Sequence, residues 1–220
     1  MHVVIPTKSN LQGLKELLSD LSNDQSVETI CVVADGDATF AAIADFHIHA
    51  EVIVVPEGSG IQYMWNRGME VVGMSNHVAF LNDDVRLGEN CMSTLTEILD
   101  NDSSVGLVCP NYSDVEMFAD RDVFDTCRSR YDGTGGMAGF AMILHRELVT
   151  QWTFDENLTW WYGDDDLVRW VTQVVGKRAV MSYGARCVHE DSATIRTNPP
   201  TNFGTLVEND RLYFESKWNV

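Results

Sequence analysis

Three groups of carboxylates follow apolar runs in this 220-residue chain: Asp35 and Asp37 in VVADGD, Asp83 and Asp84 in FLNDDV, and Asp164, Asp165 and Asp166 in WWYGDDDL. Each ionised carboxylate raises the cost of ionising its neighbour, so such crowding needs a reason. For ADGD, turn chemistry is reason enough, because Asp and Gly both suit the residues that leave a strand. For LNDDV, two adjacent carboxylates at the mouth of an apolar strand suit a hard divalent cation, Mg²⁺ or Mn²⁺, which takes carboxylate, water and phosphate oxygens and helps to carry diphosphates. A closed zinc site there would need more His or Cys.

The triple aspartate stands before a helical apolar face, Leu167, Trp170, Val171, Val174 and Val175, which ends at Gly176. Asp164 can therefore cap that helix, with the next acids favoured by its dipole. A cap contributes ~1 kcal/mol and uses one oxygen, which accounts for one aspartate better than for three. Trp160, Trp161 and Tyr162 just ahead offer flat amphipathic rings, a good wall for a sugar or a base. His189, in CVHEDSAT, is by itself more often a surface or satisfied core residue than a ligand.

The elements that must position these groups are legible from periodicity. HVVIP, ETICVVA and EVIVVP read as buried strands, and LQGLKELLSDL between the first two reads as a helix. GIQYMWNRGMEVVG repeats Ile61, Met64, Trp65, Gly68, Met69 and Val72 at helical spacing, and HVAFLNDDV is another strand. A helix over LGENCMSTLTEILDND, a strand at VGLVCP, strand again in MAGFAMILHREL, late strands in RAVMSYGARC and a terminal helix over NFGTLVENDRLYFESKW complete the order. Repeated β-α-β units with continuously apolar strands predict an α/β fold, a largely parallel sheet with helices on both faces, and a ligand crevice at the carboxyl ends of its strands. The segment NYSDVEMFADRDVFDTCRSRYDGTGG is long, polar and poorly periodic, as binding loops and lids are. One domain over residues 1–220 is expected.

The net charge of −18 disfavours sequence-independent binding to nucleic acid or to anionic membranes. Five widely spaced cysteines, without a Cys-x-x-Cys pair, point to a reducing compartment and no cysteine-based metal site. The opening MHVVIPTKSN does not read as a secretory signal, and no apolar run reaches the ~18 residues that span a bilayer. The expectation is a cytoplasmic chain with no membrane partner.

The order of these pieces resembles the GT-A-fold nucleotide-sugar glycosyltransferases, in particular the large inverting, family-2-like group with one Rossmann-like domain. VVIPTKSN looks like the first strand that cradles the nucleotide, VVADGD like the second, MWNRGM like the Asn-x-Gly helix and FLNDDV like the Asp-x-Asp motif. GTGGMAGFAMILHREL resembles the acceptor-side strand, FDENLTWWYGDDDLVRW the segment with the catalytic base, and CVHEDSAT the late metal-binding His. The resemblance implies residues 1–110 as the nucleotide-sugar half and residues 111–220 as the acceptor and base half. Pro6, Thr7, Asp35, Asn66, Asn82 and Asp83 would then contact a UDP- or GDP-linked sugar donor, Asp35 at its base, and Asp84 with His189 would ligate Mn²⁺ or Mg²⁺. An aspartate of the triplet would deprotonate the acceptor hydroxyl as it attacks the anomeric carbon from the opposite face, giving inversion. Two departures stand out: Asn82 occupies the first place of Asp-x-Asp, and Gly163 precedes three aspartates where relatives carry Glu-Asp followed by a further Asp. Aligning on Leu167 selects Asp164 as the base, and aligning on the first acid selects Asp165.

A metal-dependent nucleotidyltransferase is one rival, weakened because VVIPTKSNLQG lacks a glycine-rich nucleotide loop with a basic residue beyond Lys8. A non-catalytic carbohydrate- or nucleotide-sugar-binding protein is another, with no need of a base together with metal ligands. The acceptor expected is a glycan or, as the minority reading, a hydroxylated base in DNA, as in some bacteriophages. The minority reading rests on Arg121, Arg128 and Arg130 beside Phe124 and Tyr131, which mix phosphate binding with stacking.

Overall fold

The run HVVIPT has no polar alternation, as suits a strand covered on both faces. It forms β1 (His2–Thr7), buried throughout. The computed structural model describes residues 1–44, 46, 49–71, 73, 75–112, 123–125, 137, 139–190 and 201–220. After β1 come α1 (Leu11–Ser22), β2 (Thr29–Asp35), α2 (Asp37–Ala44), β3 (Glu51–Val55), α3 (Ile61–Glu70), β4 (His77–Leu81), β5 (Val85–Leu87), α4 (Cys91–Asn101) and β6 (Val105–Asn111). β7 (Val123–Asp125), β8 (Ala141–His145), α5 (Arg146–Val149), α6 (Gly163–Arg169), a π-helical turn at Trp170–Val175, β9 (Arg178–His189) and α7 (Phe203–Trp218) follow. The arginines of the long polar segment lie outside the described residues.

The sheet runs β3-β2-β1-β4-β8-β6-β9-β5, with β7 paired to β9. β3, β2, β1 and β4 are parallel neighbours joined through helices, as the β-α-β pattern predicts. β8 then lies antiparallel between β4 and β6, a pairing that needs no crossover helix. Alternate residues of the buried strands feed two cores. Val3 and Ile5 join Leu14 and Leu17 of α1 and Leu95 and Leu99 of α4. Val4 faces the other way and joins Met64 and Trp65 of α3, Phe154, and Leu167 of α6.

The late strands foreseen in RAVMSYGARC are one bent strand. β9 pairs in parallel with β6 as far as Ser182, resumes that pairing at Arg186, and uses Cys187–His189 to pair with β5. The Ala185 N–H donates to Ser182 Oγ at 3.2 Å across the bend. This bend carries His189 to the end of β4, 105 residues earlier at Asp84 in the chain.

β1 also carries a titratable group in the core. Burial, reinforced by nearby positive charge, lowers the His2 pKa from 6.5 to about 4. The folded state resists protonating this ring and the unfolded state does not, so stability falls as the pH drops from about 6.5 to about 4 and is level above that window. At ~1.4 kcal/mol per unit, discounted for nearby water, the loss is of the order of 2 kcal/mol. Urea unfolding at pH 7 and pH 4.5 should register it, and His2→Asn should flatten the slope; an unchanged slope in the variant would place the acid sensitivity elsewhere.

Candidate active site

The carboxyl ends of β1, β2 and β4 open into a cleft. Pro6, Thr7 and Lys8 form one wall, Asp35 and Ser59 the next, and Asn82, Asp83 and Asp84 the floor, with Trp160 and Trp161 opposite. Every candidate expected to touch the donor lines this cleft except Asn66. Asn66 turns to the loop before α6: its Nδ2 donates to Phe154 O at 2.9 Å and to Glu156 Oε1 at 2.8 Å, while the Phe154 N–H donates to its Oδ1 at 2.9 Å. The buried amide thereby ties α3 to residues almost ninety positions later, and its acceptor and donor are engaged within the protein.

The acids of the floor are held individually. Thr7 Oγ1 donates to Asp83 Oδ2 at 2.6 Å, and Asn10 Nδ2 donates to Asp83 O at 3.1 Å. Asn10 also caps α1, accepting from the Gly13 N–H at 3.2 Å. A Cβ at Gly13 would lie 2.4 Å from Asp83 O, so glycine is what lets α1 approach the floor this closely. Burial, with the charge of Asp84 adding to it, pushes the Asp83 pKa up to about 7 against the pull of the Thr7 hydrogen bond. Asp35 accepts from the Gly58 N–H at 2.7 Å and pairs with Lys8 Nζ at 3.0 Å. Lys8, weak as a sequence signal, is thus a cation on the rim of the cleft.

Asp84 Oδ1 lies 3.1 Å from His189 Nε2. Two ligands at right angles on an ion with ~2.1 Å bonds are separated by ~3 Å, so this pair is spaced as neighbours in one coordination shell. His189 stacks face to face on Phe140, with centroids 3.9 Å apart and planes at 8°, and the Glu190 N–H donates to Asp84 O at 3.0 Å. The ring is therefore held on one face by Phe140, and the backbone of Asp84 is tied to the end of the strand that carries His189. Their donor set, with the carboxylate of Asp83 adjacent, suits Mn²⁺ or Mg²⁺.

The three crowded aspartates part company in three dimensions. Tyr162 takes a left-handed conformation (φ 65°) at the cap position, and α6 starts at Gly163, so all three acids fall in its first turn and none of them caps it. The helix dipole still favours them there. Asp166, fully buried, points at α7, where it accepts from Lys217 Nζ at 2.9 Å and Trp218 Nε1 at 2.7 Å. Burial raises its pKa against the pull of those two donors. Asp164 packs on Gly139, where a Cβ would come within 2.1 Å of its Oδ2. The next residue, Phe140, accepts from the Asn82 N–H at 2.9 Å and stacks on His189, so Asp164 lies beside the residue that joins Asn82 to His189, although it does not itself line the cleft. Asp165 is buried beside it.

A residue that sequence reasoning missed organises the aromatic wall. Asp210 of α7, 2% exposed, accepts from the N–H groups of Thr159, Trp160 and Trp161 at 3.0, 2.8 and 2.9 Å. Nothing in NFGTLVENDRLYFESKW distinguishes that acid from its exposed neighbours. Asp210→Ala is expected to cost about 2–4 kcal/mol by leaving these donors without their acceptor, and to raise the KM for a donor that rests on the tryptophans. Urea unfolding and steady-state kinetics would measure both, and a stability change under about 0.5 kcal/mol would refute the clamp.

A family model for glycosyl transferase family 2 matches residues 2–149, about two thirds of the chain. The chain belongs to glycosyl transferase family 2. Among curated protein sequences none matches. Solved structures share the fold of this family-2 chain. A mannosyltransferase, PcManGT, from Pyrobaculum calidifontis in complex with GDP-Man and Mn²⁺, has a TM-score of 0.65 at 18% identity over 86% of this chain and 56% of its own. Residues 1–349 of S. aureus TarS give 0.61 at 16% identity over 83% and 57%. GalNAc-T7 with UDP, GalNAc and Mn²⁺ gives 0.68 at 12% identity over 97% and 50%. The chain spans a half to three fifths of the length of these proteins, and the likeness establishes a GT-A fold. Among the described residues no helix is long and apolar enough to cross a membrane.

Proposed function

We propose that this family-2 chain transfers a sugar, with inversion, from a UDP- or GDP-linked donor to the hydroxyl of a glycan acceptor, with the help of Mn²⁺ or Mg²⁺. The observation that carries the reading is the convergence of Thr7, Asp35, Asp83 and the Asp84–His189 pair on one cleft walled by two tryptophans. The names of the neighbours support the donor class, since two of them hold a nucleotide or nucleotide sugar together with Mn²⁺.

In this reading Asp35 and Lys8 stand at the nucleotide end of the cleft, and Asp83 reaches the ribose. Asp84 and His189 would hold the ion, which when bound supplies positive charge for the leaving diphosphate. Asp164 takes the proton of the acceptor hydroxyl as its oxygen forms the new bond at the anomeric carbon. The bond from that carbon to the diphosphate oxygen breaks, and its electron pair leaves with the nucleoside diphosphate. Attack and departure on opposite faces invert the anomeric centre. Trp160 and Trp161 keep water from that centre and offer flat faces to the sugar.

The test is a melting-temperature screen of nucleoside diphosphates and their sugars with and without Mn²⁺, followed by an assay of released nucleoside diphosphate in the presence of oligosaccharides. A UDP or GDP sugar that raises the melting temperature more with Mn²⁺ than without, and is consumed on adding a glycan, is the expected result. Stabilisation without turnover on any acceptor would mark a binding protein, and no stabilisation by any nucleotide would end the proposal.

A further inference from the structure

At the end of the sheet opposite the cleft, the chain brings two histidines and a carboxylate together. His77 opens β4 and His145 closes β8, and antiparallel pairing sets them directly across from each other. Their rings lie 4.9 Å apart, centroid to centroid, at 36°. Asp100, in the last turn of α4, extends over them, with Oδ1 3.1 Å from His77 Nε2. One donor atom from each of the three residues lies within 4.8 Å of the other two.

We propose that His77, Asp100 and His145 form a divalent-cation site of the zinc class, separate from the cleft. Two imidazoles and one carboxylate, with a fourth position open to water, are a donor set that zinc accepts and that the harder Mg²⁺ does not prefer. Two features of the geometry point to an ion and away from a simple ion pair.

The first is His77 itself. It is 6% exposed, and the Asp100 oxygen 3.1 Å from its Nε2 lies off the direction of an ideal N–H bond. An oxygen at that distance but off the N–H direction is where a second ligand sits when an ion lies along the nitrogen lone pair. The second is His145. Its Nε2 lies 2.9 Å from Leu99 O, and a carbonyl can only accept, so the ring proton is on Nε2 and the lone pair is left on Nδ1. A metal-binding histidine is oriented in just this way, by donating its other ring N–H to a carbonyl.

An ion here would clip the last turn of α4 to the β4–β8 pair. Asp100 is exposed and adjustable, so drawing the donors inward to one ion needs movement mainly of one carboxylate.

Zinc titration of the full chain, read by calorimetry and by melting temperature, tests the proposal against the cleft pair. Asp84→Asn removes a ligand from the cleft and should leave one zinc equivalent bound and stabilising. Asp100→Asn, at an exposed position, should weaken that equivalent by at least tenfold, roughly the least that losing a ligand costs. The same variant should leave Mn²⁺-dependent stabilisation by nucleotide unchanged. Co²⁺ in place of zinc should give the visible spectrum of a four-coordinate site in Asp84→Asn and lose it in Asp100→Asn. Zinc binding abolished by Asp84→Asn, or unaffected by Asp100→Asn, would overturn the site.

Discussion

Asp164→Asn is expected to lower kcat by about 10²–10⁴-fold, the usual contribution of a positioned general base, with little change in the affinity for the nucleotide-sugar donor. The amide keeps the shape of the carboxylate against Gly139 and cannot accept the acceptor's proton. Asp165→Asn is the control for register. A loss confined to Asp164→Asn assigns the base to the residue packed beside Gly139 and Phe140, whereas a larger loss in Asp165→Asn would transfer the role to its neighbour. Asp166→Asn belongs to a different class. Its carboxylate joins α6 to Lys217 and Trp218, so the expected loss is in stability, read by urea unfolding, and not in the pH–rate profile.

Asp84→Ala is expected to remove the Mn²⁺ dependence of nucleotide binding and to reduce turnover by about 10²–10³-fold, a magnitude typical of deleting one group that stabilises developing negative charge. In the proposed reaction the departing diphosphate gathers charge in the transition state, and the Asp84–His189 pair would hold the compensating cation. His189→Ala should act in the same direction with a smaller loss, since a carboxylate opposes the ion's charge and an imidazole only donates to it. Calorimetry with UDP or GDP, with and without Mn²⁺, separates binding from chemistry. Mn²⁺-dependent affinity that persists in Asp84→Ala would place the ion elsewhere.

Much of this site was legible because its signals are local. An apolar run followed by acids marks the exit of a buried strand, and two such exits, at Asp35 and at Asp83 and Asp84, lie at one end of the sheet because β1, β2 and β4 run parallel, whereas the triplet sits in the first turn of α6. The aromatic wall at Trp160 and Trp161 was visible for the same reason, as a run of residue types unusual for a loop. Motif alone did not show the partners of Asn66: a polar residue on an otherwise apolar helix can serve a ligand or a neighbouring loop, and in the structure its amide bonds Phe154 and Glu156. Asp210 was invisible because its partners are three main-chain N–H groups some fifty residues away, and backbone groups carry no residue-type signal. The cap assigned to Asp164 falls two residues earlier, because Tyr162 takes a left-handed conformation at the cap position and the helix begins at Gly163.

What the sequence by itself determined is the alternation of buried strands with amphipathic helices, and with it the end of the sheet at which a site can form. Hydrophobic periodicity repeats within a few residues and needs no distant partner to be read. What only the tertiary structure decided is the division of labour among crowded side chains. Asp164 goes to Gly139, Asp166 to α7, His189 to Asp84, and His77 to a histidine 68 positions later across an antiparallel pair. Those assignments depend on the bend in β9, the reversed β8 and the return of the terminal helix, each of which sets the partner, and so the chemistry, of a residue whose type alone allows several.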